Sequence, residues 1–226
     1  MAKIKFSALM SDMRGKLNGS VLSKNRGGSY IRNKVTPSNP QTTAQMSVRG
    51  IFAGIASGWS ALTENQRLSF NSKVSQYAST DIFGDLRNPS GKALFQKLNQ
   101  NLSISEQATI TSCPDSIPVP FANLISAAGD VSSTTFNVTY DGDTTGSKVV
   151  VWATPQMSQG TTFVKNKLRQ VAVFGGDAGD TLNVYANYAT KFGALTAGAN
   201  VYVAVRIINA NGQASPLETI KATIVA

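Results

Sequence analysis

The spacing of apolar residues changes character along the chain. Val48, Ile51, Phe52, Ile55 and Trp59 recur every three or four positions, the period of a helix with one apolar stripe. Ahead of them, Thr42-Thr43-Ala44-Gln45 reads as a capping box, a hydroxyl for an orphan N–H and a Gln to answer it. Thr63-Glu64-Asn65-Gln66 repeats that signal and opens a second helix to about Ala78, packed through Leu62, Phe70, Val74 and Tyr77. Residues 81–89 read as a loop, after which Ser90 caps a third helix carrying Leu94, Phe95, Leu98 and Leu102. Gly50, Gly54 and Gly58 fall on one face of the first helix. Each weakens a helix by about 1 kcal/mol relative to Ala, so the pattern reads either as close approach of another backbone or as loosening where the helix ends near Gly58.

After a stretch without period that contains Pro114, Pro118 and Pro120, the alternation becomes that of strands. Thr134–Tyr140 sets Phe136, Val138 and Tyr140 against Thr135, Asn137 and Thr139. Lys148–Thr154 is a short buried-type run, Leu168–Phe174 alternates, and Leu182–Tyr188 is a weaker candidate; Val201–Ile208 and Thr219–Val225 close the series. With turn signals such as Asp141-Gly142-Asp143 and Asn211-Gly212, about seven strands in this length predict a β-sandwich. Trp59 and Trp152 are the expected core anchors of the helical and β parts.

The segment in front of the helices is different. Gly15–Gln45 is basic, rich in Gly, Asn and Ser, and nearly free of large apolar residues, so it buries too little to fix its own shape. Val21–Lys24 and Ser29–Arg32 read as short strands around a four-residue loop, Asn25-Arg26-Gly27-Gly28. Pro37 and Pro40 hold an extended exit. Met1–Asp12, with Ile4, Phe6, Leu9 and Met10, fits neither helix nor strand clearly. The expected fold class is α+β and multidomain: an extended basic arm with a hairpin (1–41), a small three-helix module (42–103), a linker (104–120) and a β-sandwich (121–226).

Charge sharpens this division. The 226 residues carry a net +9, yet residues 1–50 hold nine Lys or Arg against one acid, Asp12, while residues 114–226 hold seven of each. The basicity therefore belongs to the arm. The chain has no histidine, which removes His-based triads, general bases and metal ligands together. Acids are few and scattered, so no enzyme, cofactor or metal is expected. Cys113 is the single cysteine, which rules out an internal disulfide and suits a reducing compartment. No apolar run approaches the length of a membrane span, and the N-terminus lacks a signal-peptide core. Asp141-Gly142-Asp143 and Gly175-Gly176-Asp177-Ala178-Gly179-Asp180 lack the six or seven oxygens, roughly, that Ca²⁺ takes and read as turns.

Two resemblances add to these readings. Leu195 through Pro216, with Gly198, Tyr202, Asn209, Gly212 and Ser215, resembles the E–F corner, F strand and F–G turn of fibronectin type III domains, although Gly198 to Tyr202 is one residue longer than usual. The resemblance implies an Ig-like (fibronectin III-like) β-sandwich, with Tyr202 as its corner tyrosine. Arg14-Gly15-Lys16, Ser23–Gly28, Tyr30-Ile31-Arg32, Lys34–Thr42, the Val48-Arg49-x-x-Phe52 helix, Trp59–Arg67 and Ser90–Asn99 resemble a segment of tailed-bacteriophage virion structural proteins, over residues 12–102.

That second resemblance implies a virion component assembled in the bacterial cytoplasm, foremost an auxiliary (decoration) capsid protein and next a tail, neck or collar protein. Its partners would be the major capsid protein or tail and neck subunits, with the chain present in many copies or as a homo-oligomer. The docking residues would be Arg14, Lys16, Lys24, Arg26, Gly27, Gly28, Tyr30, Arg32, Lys34, Pro37 and Pro40, with the Val21–Arg32 hairpin adding to a partner's sheet edge. The rival reading uses the arm's cations on nucleic-acid phosphates, with salt-dependent affinity; it has only Tyr30 as a stacking platform. A carbohydrate-binding module would rest on the few aromatics of the β part.

Overall fold

The computed structural model describes residues 2–7, 10, 12–141, 144, 146–176 and 181–226. Met1, Leu9, Gly142, Asp143, Asp177, Ala178, Gly179 and Asp180, which entered the sequence readings, lie outside these residues.

The predicted hairpin is present. β3 (Ser20–Asn25) pairs with β4 (Gly28–Asn33). Asn25 pairs directly with Gly28, so the connection is a two-residue turn, Arg26-Gly27, and not a four-residue loop. Gly28 has φ +100°, a region that disfavours side chains. Two strands that the sequence did not suggest flank the hairpin: β1 (Ala2–Lys3) on β4 and β2 (Gly15–Leu17) on β3. Both edges of the Val21–Arg32 hairpin are therefore occupied within the chain. Leu22 is the one buried apolar side chain in this sheet, so the backbone ladder and polar contacts hold it.

The three helices start at their predicted caps. Thr42 Oγ1 accepts from the Gln45 N–H at the head of α1 (Thr43–Ala61). Thr63 and Gln66 complete a reciprocal box at α2 (Glu64–Ser72), and Ser90 caps α3 (Gly91–Ile104) through the Ala93 N–H. The second helix ends earlier than expected and continues as a 3-10 turn, Val74–Tyr77. The expected 81–89 loop includes a strand of a small hairpin, β5 (Ser79–Thr80) with β6 (Leu86–Arg87). Phe70, Leu94, Phe95 and Leu98 form the core beside the half-buried Trp59, whose ring lies 5.5 Å from Phe95. Buried Asn99 ties down the segment after α3, accepting from the Ile110 N–H at 2.8 Å and donating to its carbonyl at 3.2 Å.

The stripe on α1 departs from expectation. Ile55 is buried, but Val48, Ile51 and Phe52 are exposed. A Cβ at Gly50 or Gly54 would meet nothing within 4 Å, and one at Gly58 would touch only the Phe95 ring. Among the described residues no backbone approaches the glycines; the first turns of α1 extend past the core.

The C-terminal strands form two layers in Ig-like order. β7 (Asn123–Asp130), β8 (Thr135–Asp141) and β11 (Thr181–Asn183) make one. β9 (Ser147–Ala153), β10 (Arg169–Gly175), β12 (Val201–Asn209) and β13 (Glu218–Val225) make the other, in the order β10-β9-β12-β13. β13 joins the layers, antiparallel to β12 along its first part and parallel to β7 at Thr223–Val225. The weak candidate strand Leu182–Tyr188 stops at Asn183, whose Oδ1 accepts from the Tyr185 N–H, and α4 (Tyr185–Phe192) follows. Tyr188 thereby enters the core, edge-on to Phe136 with its hydroxyl donating to the Thr154 carbonyl.

Two aromatic assignments change. Val201, Val203, Val205 and Ile207 point into the sandwich core, which puts Tyr202 on the alternate face, donating to the Thr161 carbonyl at 3.4 Å. One extra residue in the preceding turn moves a tyrosine to the other side of a strand, so Tyr202 makes no corner. Trp152 likewise alternates outward from the core residues Val151 and Ala153.

The outward face is itself covered. Val150, Ala204 and Ile208 are buried there, where the end of α3 crosses. Gln170 donates to the Ile104 carbonyl, Gln107 to that of Ile208, and Asn101 to that of Gly212. Gln213 is the centre of this junction, donating to the Tyr77 hydroxyl and the Asp115 carbonyl, each at 2.7 Å, and accepting from the Ile117 N–H. Gly212, at φ +76°, lets the β12–β13 turn touch the α3 backbone: a Cβ there would lie 2.5 Å from the Leu98 carbonyl oxygen. Gly212→Ala is expected to lower stability by more than about 1 kcal/mol, roughly 2–4 °C in Tm or more. Gly50→Ala, in open helix, is expected to raise it by up to about 1 kcal/mol. Thermal denaturation of the two variants checks both signs.

Candidate functional site

The residues expected to dock fall on a small sheet, and its register sorts them. Lys16 pairs with Val21 and Val21 with Arg32, while Lys3 pairs with Tyr30. Cross-strand partners share a face, so Lys16, Tyr30 and Arg32 lie together, Lys3 beside them. Lys24 pairs with Ser29 on the opposite face, the one that holds Leu22. Arg14 is ion-paired with Asp12 at 3.0 Å. Lys34 follows β4 with its N–H on the Gly19 carbonyl, and Pro37 and Pro40 lie in the exposed segment leading to α1. In that segment Asn39 accepts from Arg49 of α1 at 2.7 Å. The structure thus gathers three of the expected docking side chains on one face and scatters the remainder.

What locks the sheet to the helices is a group that sequence reasoning missed. The Asp81 carboxylate, 2% exposed, meets Arg87 Nε at 2.9 Å and Lys3 Nζ at 3.2 Å. Its second oxygen accepts from the Phe83 and Asp85 N–H groups. Burial pushes this carboxyl up, but the Arg87 guanidinium, the Phe83 N–H, the Lys3 ammonium and the Asp85 N–H together outweigh it and hold the pKa well below the usual range. Arg87 also donates to the Arg26 carbonyl at 3.1 Å, so the tip of the β3–β4 turn rests on the β5–β6 hairpin. A Cβ on Gly28 would press on the same guanidinium, at 3.0 Å. Lys5 adds an exposed pair with Asp85 at 3.0 Å. The signal in the sequence was Asp81 with Arg87 six residues on, bracketing Gly84, the spacing of a short acid-anchored hairpin.

The second missed feature is the exposure of the first half of the α1 stripe. Met46, Val48, Ile51 and Phe52 are 43–58% exposed on a helix whose single charged residue is Arg49. Basic sheet, proline exit and apolar helix follow one another along the chain. Among the described residues no three His, Cys, Asp or Glu side chains come together as metal ligands would. Burial pushes the Cys113 thiol up, and its proton goes to the Pro114 carbonyl. No described helix is long and apolar enough to cross a membrane.

No family model and no curated protein matches the chain. Among solved structures it is similar to an Fn3-like protein from Clostridium thermocellum, at 17% identity over 49% of this chain and 97% of that one, with a TM-score of 0.32. It is also similar to a beta-1,2-glucanase from Parabacteroides distasonis, at 16% identity over 51% of this chain but 14% of that one, with a TM-score of 0.34. At these scores the Ig-like assignment rests on the strand order described above.

Asp81→Asn removes the charge that Lys3 and Arg87 share. Hydrogen exchange at the Ile4 N–H, which bonds to the Ser29 carbonyl, is expected to accelerate on the order of tenfold while exchange in α3 holds. Because the folded pKa is depressed, the wild-type contribution is complete above the ordinary carboxylate value near 4 and is lost as pH falls below it. The same amide should therefore lose protection on acidification, earlier than the helical core does.

Proposed function

We propose that this chain is a non-enzymatic structural protein of a tailed-bacteriophage virion, in the first place an auxiliary capsid (decoration) protein, that assembles by docking α1 and the adjoining basic sheet on neighbouring subunits. The observation that carries the proposal is the exposed stripe of Val48, Ile51 and Phe52. A contiguous apolar face on a nearly uncharged helix is costly to leave in water and marks an interaction surface. The resemblance of residues 12–102 to phage structural proteins supplies the setting. Docking by an extended hairpin is revised to docking by a folded element, since β1 and β2 already cap the hairpin's edges. The Ig-like domain is then the part carried on the particle's outside. A tail, neck or collar position uses the same surface on a ring in place of a lattice.

The copy number of the chain per purified particle, by quantitative mass spectrometry against the major coat protein, tests this. Hundreds of copies are expected; a few dozen or fewer would place it at the neck or tail, and absence from the particle would sink the virion reading. Phe52→Lys, at an exposed site, is expected to change stability by no more than about 0.5 kcal/mol. It should cut incorporation roughly tenfold or more, as the loss of an interface anchor does. Were the arm a nucleic-acid binder instead, Lys16→Gln with Arg32→Gln would weaken DNA binding and flatten its salt dependence, leaving incorporation untouched.

A further inference from the structure

Where α3 crosses the outer face of the sandwich, the junction leaves a cleft of about 480 Å³. Arg206 and Lys97 both line it, one from β12 and one from α3. Arg206 is placed by strand alternation: Val205 and Ile207 face the core, so Arg206 stands on the outward face between the buried Ala204 and Ile208. Its Nε is shut off from water and meets no acceptor. Among the described residues no carboxylate pairs with Arg206 or Lys97. The nearby Asp115 pairs with Lys73 at 2.9 Å.

This arrangement is expensive unless something fills it. A guanidinium stays protonated at any ordinary pH, and a buried donor without an acceptor costs the desolvation of that group. Burial already pushes the Arg206 pKa down, as expected for a cation that lost water and gained no counter-charge. Gln213 and Asn101 of the remaining polar wall are already engaged, Gln213 with Tyr77, Asp115 and Ile117 and Asn101 with the Gly212 carbonyl. Nε is out of reach of any occupant, so what the cleft lacks is a negatively charged acceptor for the terminal guanidinium N–H groups, which meet none among the described residues. Ile117, Val119 and Pro216 line the cleft as well, offering apolar contact to the body of a small organic molecule.

We propose that this cleft is a binding site for a small oxyanion, a phosphate monoester or a carboxylate, whose charged group sits between Arg206 and Lys97. A planar guanidinium presents paired N–H groups that match either oxyanion, with the lysine supplying a second charge. Because the cleft is built from both α3 and the β12–β13 turn, an occupant would also fasten the helices to the sandwich.

Isothermal titration calorimetry on the full chain tests the proposal, with sodium phosphate and sodium succinate as separate probes at constant ionic strength in chloride. Saturable binding of one anion per chain is expected for at least one probe. Phosphate alone would identify a phosphoryl ligand, succinate alone a carboxylate. Lys97→Gln, on an exposed side chain, is expected to weaken binding roughly tenfold, and Arg206→Gln to abolish it. Raised Tm on addition of the bound anion should accompany binding in the wild type and vanish in Arg206→Gln. No binding of either probe below a Kd of about 10 mM, or equal affinity in wild type and Lys97→Gln, would overturn the proposal.

Discussion

The architecture depends on backbone meeting backbone at Gly212. A bundle of three short helices encloses few apolar side chains and gains most by sharing a face with something larger. It does so by laying the end of α3 across the outside of β9 and β12. There Val150, Ala204 and Ile208 are as hidden as the residues of the sandwich core. That requires the β12–β13 turn to pass the Leu98 carbonyl with no side chain in between, which Gly212 permits. Gln213 then satisfies the polar groups that the contact would otherwise strand. Packing and hydrogen bonding agree at that one turn, and helices and sandwich become neighbours with a defined orientation.

The N-terminal sheet is held by a different force. It has one buried apolar side chain, so its attachment is electrostatic and concentrated at Asp81. A nearly inaccessible carboxylate shared by a lysine, an arginine and two backbone N–H groups resists screening better than surface pairs do. The two halves of the chain thus differ in what disturbs them. The junction at Gly212 answers to shape, the sheet at Asp81 to acid and charge.

Much of this was readable from residue order. Caps at Thr42, Thr63 and Ser90, the apolar positions of α3 and five of the sandwich strands follow from local chemistry and period, which act over a few residues. What escaped was set by partners distant in the chain. β1 and β2 are too short to carry a period and exist because β3 and β4 offer edges. β7 alternates poorly, its inward residues Ala127 and Gly129 being small, and is a strand because β8 and β13 pair with it. The Leu182–Tyr188 pattern fits a strand and a helix alike until Asn183 accepts the Tyr185 N–H and decides for the helix. For the docking surface, the sequence located the basic residues but not which share a face, since face depends on register. The α1 stripe was visible; that its first half has no partner among the described residues was not.

The parallel pairing of β13 with β7 has a mechanical meaning. β7 leads in from the helical part, and β13 runs beside it in the same direction. Tension applied between the helices and the far end of β13 pulls the two strands past each other along their length. Their cross-links are then strained together instead of opening one after another, as they would in a hairpin peeled from its end. A module wired this way yields late to a pull along its long axis and early to one across it.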